Sequence, residues 1–512
     1  MCKWFQQVGM ISLLLVLGAC HSDSSSSNAS AAVAPSSTPT APPDAPGAVN
    51  SVPESPAPGQ SRAGETYSIY VEIPATGDTI AFTVFEPATL VGGEKYPLLL
   101  YGHGAGQSRA TDKDNPALVY SSFNDNIKLF IDNGYGVISM DQRGHGESSG
   151  TVRVMDPDLD GLNLLAILDW AEVRLDWLDY APGPGGDNLV VGGIGASYGG
   201  GFQMLIHNID PRQRLDAIIP ESTWHDLRYS LAPNRVTKSA WATFLLLSSG
   251  SAPGSENADP FVSTLFTDLL QGKQLNSEQD DFFYYHSNAY FCDGGSVMTN
   301  GGAGTAPLFE SRPPRPINAM FFQGMRDTLF TFTEAYRNYQ CLKGAGGDVR
   351  LLSYQTGHNT TPVIIDGGLR PVPFNPDKPG PPLNSFDNRC GSLSVHEASL
   401  EFFNEHLKGM QGAADIVPRR PCISLDLGDA VLVEQVTAGH LGQPVAIPET
   451  TLVAGVGEIP LAVNLFAVTD TQGQVLAGIP QLDVTLQSVL PESPGEPIIF
   501  AGIGLMRANL PG

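Results

Sequence analysis

Three side chains in this sequence have the types needed to activate a serine for nucleophilic attack: Ser197, Asp327 and His358. A serine hydroxyl is a weak nucleophile until an imidazole takes its proton, and a carboxylate must fix the tautomer of that imidazole. Each of the three residues follows a run of apolar residues that is typical of a buried strand. We therefore predict that the three side chains converge at one rim of a single sheet.

Ser197 lies in the segment 195–199, whose sequence is Gly-Ala-Ser-Tyr-Gly, after the apolar run 189–194 and before a helical pattern. A tight turn from strand to helix strains the backbone at the serine, so the flanking residues Gly195 and Gly199 must be small. The pattern alone is a weak signal, because it arises by chance in a glycine-rich chain. Its place between a strand and a helix makes Ser197 the predicted nucleophile.

Asp327 is the predicted acid, and Glu221, at the end of the preceding strand, is its rival. Asp327 is favoured because Gly324 permits a turn after its strand and because His358 follows one helix and one strand later. Of the ten histidines in the chain, only His358 comes just after a strand and downstream of the acid. These positions predict His358 as the general base.

The residues around the serine have predicted roles in binding. Two backbone N–H groups must face the oxyanion of an acyl-transfer intermediate, and we assign them to Tyr198 and Ala105. Ala105 lies in a glycine-rich loop that also contains His103, which is expected to brace that loop. The pocket beside the serine is predicted to include His103, Glu221 and Trp224.

Two segments rich in charge have structural interpretations. The segment 141–148 carries Asp, Arg, His and Glu and is expected to lock a turn beneath the site. The segment 156–161 begins like a calcium-binding loop, but Ile167 stands where such a loop needs its acidic twelfth ligand. We therefore interpret Asp156 as a helix N-cap.

The first part of the chain predicts export and a lipid anchor. Lys3, the apolar run 8–17 and the small residues before Cys20 resemble a bacterial lipoprotein signal, in which that cysteine is lipidated. Residues 20–64 are rich in Ser, Ala and Pro, which is typical of a disordered tether. His21 replaces the Asp that usually retains such proteins at the inner membrane, so we expect the outer membrane.

Composition limits the partners. The formal net charge of −25 argues against binding to nucleic acid or anionic lipid. The expected partner is a small ester or peptide substrate, with membrane contact only through the N-terminal lipid. We expect no cofactor and no metal, and the oligomeric state stays open.

Six cysteines are present, of which Cys2 and Cys20 belong to the signal and the lipid site. The other four suggest two disulfides in an exported protein, with three possible connectivities. We favour Cys292–Cys341 and Cys390–Cys422, because each pair is nearest in sequence order.

Apolar runs alternate with helical patterns through the middle of the chain, which predicts an α/β fold with a doubly wound, mostly parallel sheet. We divide the chain into a signal peptide (1–19), a tether (20–64), a catalytic domain (65–221 and 316–415), a helical cap insertion (222–315) and a C-terminal β-sandwich (416–512). The predicted strands are 67–73, 79–85, 97–101, 136–140, 189–194, 217–219, 317–322 and 349–354, and the predicted helices of the catalytic domain are 159–178, 200–207, 333–343 and 395–408.

Together these features resemble the α/β-hydrolase superfamily, and within it the branch that contains cocaine esterase and X-prolyl dipeptidyl peptidases. The resemblance includes the segment 195–199, the placement of the cap, the Asp-Thr-Leu-Phe segment 327–330 and the Leu-Ala-Gly-Ile-Pro segment 476–480 of a jelly-roll-like domain. It implies a triad of Ser197, Asp327 and His358. The loop around His103 departs from the tyrosine that cocaine esterase-like members present there.

We expect a serine hydrolase that cleaves carboxylic esters through an acyl-serine intermediate on an apolar substrate. The alternative is an X-Pro dipeptidyl peptidase, which would need an acidic anchor for the substrate amine, such as Glu221 or Asp226. A more remote alternative is a surface lipoprotein that binds glycans without catalysis, which the presence of all three triad residues disfavours.

Overall fold

The computed structural model of this protein describes residues 62–115, 126–183, 186–302, 306–355, 357–358, 362–365, 368–371, 389–425 and 429–436. The predicted signal peptide, Cys20, the tether up to residue 61 and the predicted sandwich beyond residue 436 lie outside these residues.

A ten-stranded sheet forms the centre of the structure, in the order β1-β2-β4-β3-β7-β8-β9-β10-β15-β16. The neighbours from β4 to β15 run parallel, while β1, β2 and β16 pair antiparallel at the two edges. The strands are β1 (Thr66–Ile73), β2 (Asp78–Phe85), β3 (Leu98–Gly102), β4 (Gly136–Met140), β5 (Tyr180–Gly183), β6 (Gly186–Leu189), β7 (Val191–Ala196), β8 (Leu215–Glu221), β9 (Asn318–Gly324), β10 (Val349–Tyr354), β11 (Pro362–Ile365), β12 (Gly368–Pro371), β13 (Arg389–Cys390), β14 (Leu393–Ser394), β15 (Cys422–Ser424) and β16 (Ala430–Leu432). The predicted α/β class and the mostly parallel sheet are confirmed.

Helices cover both faces of this sheet. They are α1 (Ile127–Asp132), α2 (Leu162–Arg174), α3 (Tyr198–Ile209), α4 (Leu227–Leu231), α5 (Ser239–Ser248), α6 (Pro260–Leu270), α7 (Ser277–Tyr285), α8 (Asn288–Cys292), α9 (Phe332–Ala345) and α10 (Val395–Lys408). A π-helical turn, Pro157–Gly161, precedes α2, and its N-cap Asp156 accepts a hydrogen bond from the Asp158 N–H, as predicted. None of the helices in the described ranges is long and apolar enough to cross a bilayer.

Successive side chains of β3 pack alternately into the hydrophobic cores on the two faces of the sheet. Leu98 and Leu100 point into the core on one face, which includes Phe202 of α3. Leu99 belongs to the core on the opposite face, which includes Phe403 of α10. Side chains of a strand point alternately to its two sides, so a strand buried on both faces must be apolar throughout. This is why the central strands read as continuous apolar runs in the sequence.

The long insertion between β8 and β9 is helical, as the sequence predicts. It carries α4 to α8, of which α6 (Pro260–Leu270) and α5 (Ser239–Ser248) are the longest. Most aromatic residues of the insertion are buried, including Phe266, Phe282 and Phe283. Phe283 contacts both Phe266 and Phe282, with ring centroids 6.3 Å and 6.0 Å apart, so these side chains pack against one another inside the insertion.

Both predicted disulfides are present. Cys292 and Cys341 have Cα atoms 5.9 Å apart, and their bond ties α8 of the insertion to α9. Cys390 and Cys422 have Cα atoms 6.2 Å apart, and their bond joins β13 to β15.

One expectation about the later part of the chain is wrong. The run beginning at Ala430 was expected in a separate sandwich, but β16 pairs antiparallel with β15, which continues the main sheet beside β10. The boundary at residue 416 therefore falls before the last two strands of the central sheet. Farther along the chain than β10, the strands β11 and β12 pair as an antiparallel hairpin.

Candidate active site

Ser197 occupies a strained turn between β7 and α3. Its backbone has φ 58° and ψ −119°, a conformation that a residue with a Cβ rarely adopts. The Ser197 N–H donates to the carbonyl of Glu221, 2.9 Å away, which ties the turn to the end of β8. Such strain costs roughly 1–3 kcal/mol and persists only where the surroundings enforce it.

The glycines around Ser197 allow two backbone segments to touch. A Cβ on Gly199 would lie 1.9 Å from the carbonyl oxygen of Gly102 at the end of β3. A Cβ on Gly195, which has φ 150°, would lie 2.5 Å from the same oxygen. Only glycine fits at either position, because the turn is in direct contact with β3. This contact explains the predicted need for small residues beside the serine.

The structure brings the three predicted triad residues together. The distance from Ser197 Oγ to His358 Nε2 is 2.9 Å, and the distance from His358 Nδ1 to Asp327 Oδ2 is 2.7 Å. Asp327 and His358 are 4% and 7% exposed, so water competes little for these hydrogen bonds. In this arrangement His358 can accept the serine proton while Asp327 holds its other nitrogen protonated.

The loop after β9 orients the aspartate. Oδ1 of Asp327 accepts hydrogen bonds from the N–H groups of Leu329 (2.8 Å) and Phe330 (2.9 Å), so Oδ2 is left to face His358. The amide of Gln323 donates to the Phe330 carbonyl at 2.7 Å and fixes the other side of the loop. Glu221, the alternative acid, accepts a hydrogen bond from the Tyr354 hydroxyl instead.

Helix α5 of the insertion braces the acid and the base, and sequence reasoning missed this role. Lys238, just before α5, donates to the Leu329 carbonyl at 2.8 Å, and burial lowers its pKa. Trp241 Nε1 donates to Thr328 Oγ1 at 3.0 Å. The Trp241 ring also meets the His358 ring edge to face, with centroids 5.5 Å apart. The insertion is therefore part of the framework that positions the triad.

The other end of α5 reaches the loop that follows β3. A Cβ on Gly106, which has φ 74°, would lie 2.2 Å from the Ser248 carbonyl oxygen. Helix α5 thus extends from the aspartate loop to the loop that contains Ala105. It lies across the same edge of the sheet as Ser197.

The two residues assigned to the oxyanion lie on either side of the serine. Tyr198 is the first residue of α3, so its N–H has no carbonyl partner within the helix. Its hydroxyl accepts a hydrogen bond from the Met155 N–H at 3.0 Å, and burial raises its pKa well above the usual value, so the ring is a fixed anchor. Ala105 lies half-buried in the loop after β3. The donor roles of Tyr198 and Ala105 stay predictions.

The three predicted pocket residues are buried and contact other protein groups. The Gln142 N–H donates to His103 Nε2 (3.1 Å), and burial lowers the His103 pKa to about 3. Glu221 is fully buried and accepts a hydrogen bond from the Tyr354 hydroxyl at 2.5 Å. Trp224 Nε1 donates to the His286 carbonyl at 2.9 Å. These placements favour supporting roles over the predicted contact with substrate.

The charged segment 141–148 forms a locked turn, as expected. The Asp141 carboxylate accepts hydrogen bonds from the backbone N–H groups of Arg109 (2.6 Å) and Glu147 (2.9 Å). The Arg109 guanidinium bridges Asp141 and Glu147. The ion pairs fasten the β3 loop to the loop after β4.

A buried carboxylate holds the start of the insertion. Oε2 of Glu334 in α9 accepts hydrogen bonds from the N–H groups of His225 (2.6 Å) and Asp226 (2.8 Å) and from the Ser230 hydroxyl (3.1 Å). Burial raises the Glu334 pKa to about 7. Asn338, one turn later, donates to the Trp224 carbonyl at 3.1 Å. Helix α9 therefore anchors the segment from which α4 begins.

One group of side chains in the described ranges has the spacing of metal ligands: Asp348, Glu405 and His406. The Asp348 carboxylate already accepts hydrogen bonds from Arg350 and from His406. A cation would have to displace the arginine, so we interpret this cluster as an ion-pair network.

We expect Gly199→Ala to destabilise the protein by more than about 3 kcal/mol, because the new methyl group overlaps the Gly102 carbonyl and neither backbone segment can retreat. The matched control is Gly344→Ala in α9, where an added Cβ has nothing within 4 Å. Since alanine favours a helix interior by roughly 0.5–1 kcal/mol over glycine, the control should be neutral or stabilising. Urea unfolding measures both, and equal stability of the two variants would refute the contact.

We expect Glu334→Gln to flatten the pH dependence of stability. The folded pKa of about 7 is raised above the ordinary value of 4.5, so this carboxyl stabilises the fold fully below about pH 4.5. That contribution falls as pH rises to about 7, by an amount on the order of 3 kcal/mol. Urea unfolding of both proteins at pH 5 and pH 8 should show a larger loss in the wild type, and parallel profiles would contradict the assignment.

Comparison with known proteins indicates the family of this chain. The family model of X-Pro dipeptidyl-peptidase (S15 family) matches residues 76–360. No curated protein sequence is significantly similar to the chain.

Several solved structures are similar to parts of the chain. A CocE/NonD family hydrolase from Staphylococcus aureus is 12% identical, with a TM-score of 0.42, over 72% of this chain and 56% of that chain. The acylaminoacyl peptidase of Pyrococcus horikoshii is 14% identical, with a TM-score of 0.35, over 59% of this chain and 38% of that chain. Acetyl xylan esterase 1 from Thermoanaerobacterium sp. is 16% identical, with a TM-score of 0.34, over 60% of this chain and 81% of that chain. The match thus spans little more than half the length of the first of these proteins.

The S15 family match covers more than half of the sequence and includes Ser197, Asp327 and His358. The chain therefore belongs to the S15 family.

Proposed function

We propose that this protein is a serine hydrolase that cleaves carboxylic esters through an acyl-serine intermediate. The observation that carries the proposal is the continuous pair of hydrogen bonds from Ser197 Oγ to His358 Nε2 (2.9 Å) and from His358 Nδ1 to Asp327 Oδ2 (2.7 Å). A serine, a base and an orienting acid in this order are the parts that acyl transfer requires.

In the proposed reaction, the triad residues and the two N–H donors each have a defined role. His358 accepts the Ser197 proton as the oxygen attacks the substrate carbonyl, and the oxyanion that forms faces the N–H groups of Tyr198 and Ala105. His358 then gives the proton to the leaving alcohol, which leaves the acyl group on the serine. A water molecule, deprotonated by His358, attacks the acyl-serine, and His358 returns that proton to the Ser197 oxygen as the bond to the acyl group breaks and the acid leaves.

The surroundings of the acidic residues support an ester over a peptide with a free amine. Such a peptide needs a carboxylate that can pair with its amine, and Glu221 and Asp226 are the candidates. Glu221 is fully buried against the Tyr354 hydroxyl. Asp226 pairs with Arg228 at 2.8 Å and caps α4. Each carboxylate already has a partner in the protein.

The second candidate function is that of an X-Pro dipeptidyl peptidase. The family match supports it, because the matched family is described by that activity. The triad would act in the same way on an amide, so only the binding of the substrate amine separates the two functions.

We expect Ser197→Ala to reduce ester hydrolysis by at least about a thousandfold, because the nucleophile is lost. Its circular dichroism spectrum and melting temperature should match the wild type, since the removed hydroxyl packs no core. Ser239→Ala, at an exposed position, is the matched control and should keep full activity. Residual activity above about a tenth of wild type in Ser197→Ala would refute the assignment.

Substrate class is decided by a direct comparison on the same enzyme. We expect kcat/KM for aryl and alkyl esters to exceed kcat/KM for X-Pro anilides by more than about tenfold, a difference of about 1.4 kcal/mol in transition-state stabilisation. The Ser197→Ala variant must lose both activities. A preference for X-Pro anilides that depends on their free amine would establish the second candidate instead.

We also propose that the protein is exported and anchored by lipid at Cys20, at the outer membrane. The signal-like segment before Cys20 supports this. The two disulfides fit an oxidising compartment.

Labelling with radioactive palmitate in a bacterial host tests the anchor. We expect Cys20→Ser to lose the label, because the thiol that carries the lipid is gone. Cys2→Ser, within the signal, is the matched control and should keep the label. Label in the Cys20→Ser protein would contradict the site, and recovery of the wild type with the inner membrane on a density gradient would contradict the location.

A further inference from the structure

A cleft of about 420 Å³ opens between the insertion and α9, outside the triad. Its walls come from the segment around α4, from the turn after α6 and from one turn of α9. The charged side chains that line it are Arg228, Arg235, Lys273, Arg337, Asp226 and Asp280. Basic groups therefore outnumber acidic ones two to one here, in a chain whose formal net charge is −25.

Two of the four cations are neutralised by nearby carboxylates. Arg228 pairs with Asp226 (2.8 Å) and Asp280 (3.2 Å). Lys273 pairs with Asp268 at 2.6 Å. Three carboxylates thus face the four cations, which leaves one net positive charge and leaves Arg235 and Arg337 outside these pairs.

The other two cations are Arg235 and Arg337. Both are exposed, and neither forms an ion pair with a carboxylate of the described ranges. The Arg337 guanidinium lies 5.0 Å from the centroid of the Tyr229 ring, which holds it against one wall. A guanidinium group presents several N–H donors in one plane, which matches the geometry of a carboxylate or a phosphate.

The turn that carries Arg235 is strained. Asn234 has φ 50° and ψ 35°, and Arg235 has φ 64°, so two successive residues with side chains adopt the left-handed region. This conformation is uncommon for residues that have a Cβ, and it is less common for arginine than for asparagine. Strain of this kind is concentrated at ligand sites, where the surroundings hold the chain in place.

We propose that this cleft binds a small oxyanion, a carboxylate or phosphate group, on the guanidinium groups of Arg235 and Arg337. The two arginines outside the ion pairs, the volume of the cleft and the strained turn all favour such a ligand. The site is distinct from the triad, since Ser197, Asp327 and His358 do not line it. It is linked to the triad through the backbone, because Thr237 lines the cleft and Lys238 contacts the aspartate loop.

Isothermal titration calorimetry of the full chain with inorganic phosphate and, separately, with succinate tests the site, at constant ionic strength set with chloride. We expect saturable binding of one equivalent of at least one anion. Arg235→Gln and Arg337→Gln should each weaken it by at least about tenfold, which corresponds to about 1.4 kcal/mol. The tighter of the two anions identifies the chemical class of the ligand.

The matched control is Arg212→Gln, an exposed arginine outside the cleft, whose loss removes the same charge. It should leave the dissociation constant within about twofold of the wild type. The proposal is overturned if neither anion saturates the protein by about 10 mM, or if Arg212→Gln weakens binding as much as the cleft variants do. The readout is binding alone, so the result does not depend on the substrate of the triad.

Discussion

The contact between the Gly102 carbonyl and the Cα of Gly199 is the constraint on which the active site depends. No methyl group fits between these two residues, so the backbones of β3 and α3 are in direct contact. This approach directs the chain through the strained conformation at Ser197 and sets the first N–H groups of α3 beside the end of β3. A nucleophile, an N–H donor and the neighbouring loop thus share one small region because two glycines lack side chains.

The acid and the base depend on a second source of order, the helical insertion. Asp327 and His358 follow strands of the sheet, but Lys238 and Trp241 of the insertion hold the aspartate loop and the imidazole ring. The insertion is in turn fastened to α9 by Glu334 and by the Cys292–Cys341 disulfide. The sheet supplies the positions of the triad, and the insertion restricts its orientation.

Features that depend on residues close together in the sequence could be predicted. The triad residues follow apolar runs, and α10 matches its predicted bounds at both ends because Ser394 caps its start and Gly409, with φ 64°, ends it. The hairpin of β11 and β12 could also have been predicted, since Asp366 and Gly367 form a dipeptide that favours such turns. The many prolines and glycines around this dipeptide favour irregular structure, so they obscure the turn that it predicts.

The remaining features depend on contacts between distant parts of the chain. Trp241 reads as an ordinary core aromatic and Glu334 as an ordinary acidic residue in the first turn of a helix. Their partners lie far away in sequence, and no spacing rule identifies them. The short apolar run at Ala430 fits an edge strand of any sheet, so only the register with Cys422–Ser424 shows which sheet it joins.

Helix α5 has a consequence for how reactants arrive and leave. Many enzymes shield their chemistry with a segment that swings aside, but here the shield also steadies the general base through Trp241. Displacement of α5 would remove this ring contact, while the hydrogen bond between His358 and Asp327 and the contact with the Phe330 ring would remain. The position of α5 and the orientation of the imidazole are therefore coupled, so a substrate that enters without moving this helix meets a fully oriented histidine.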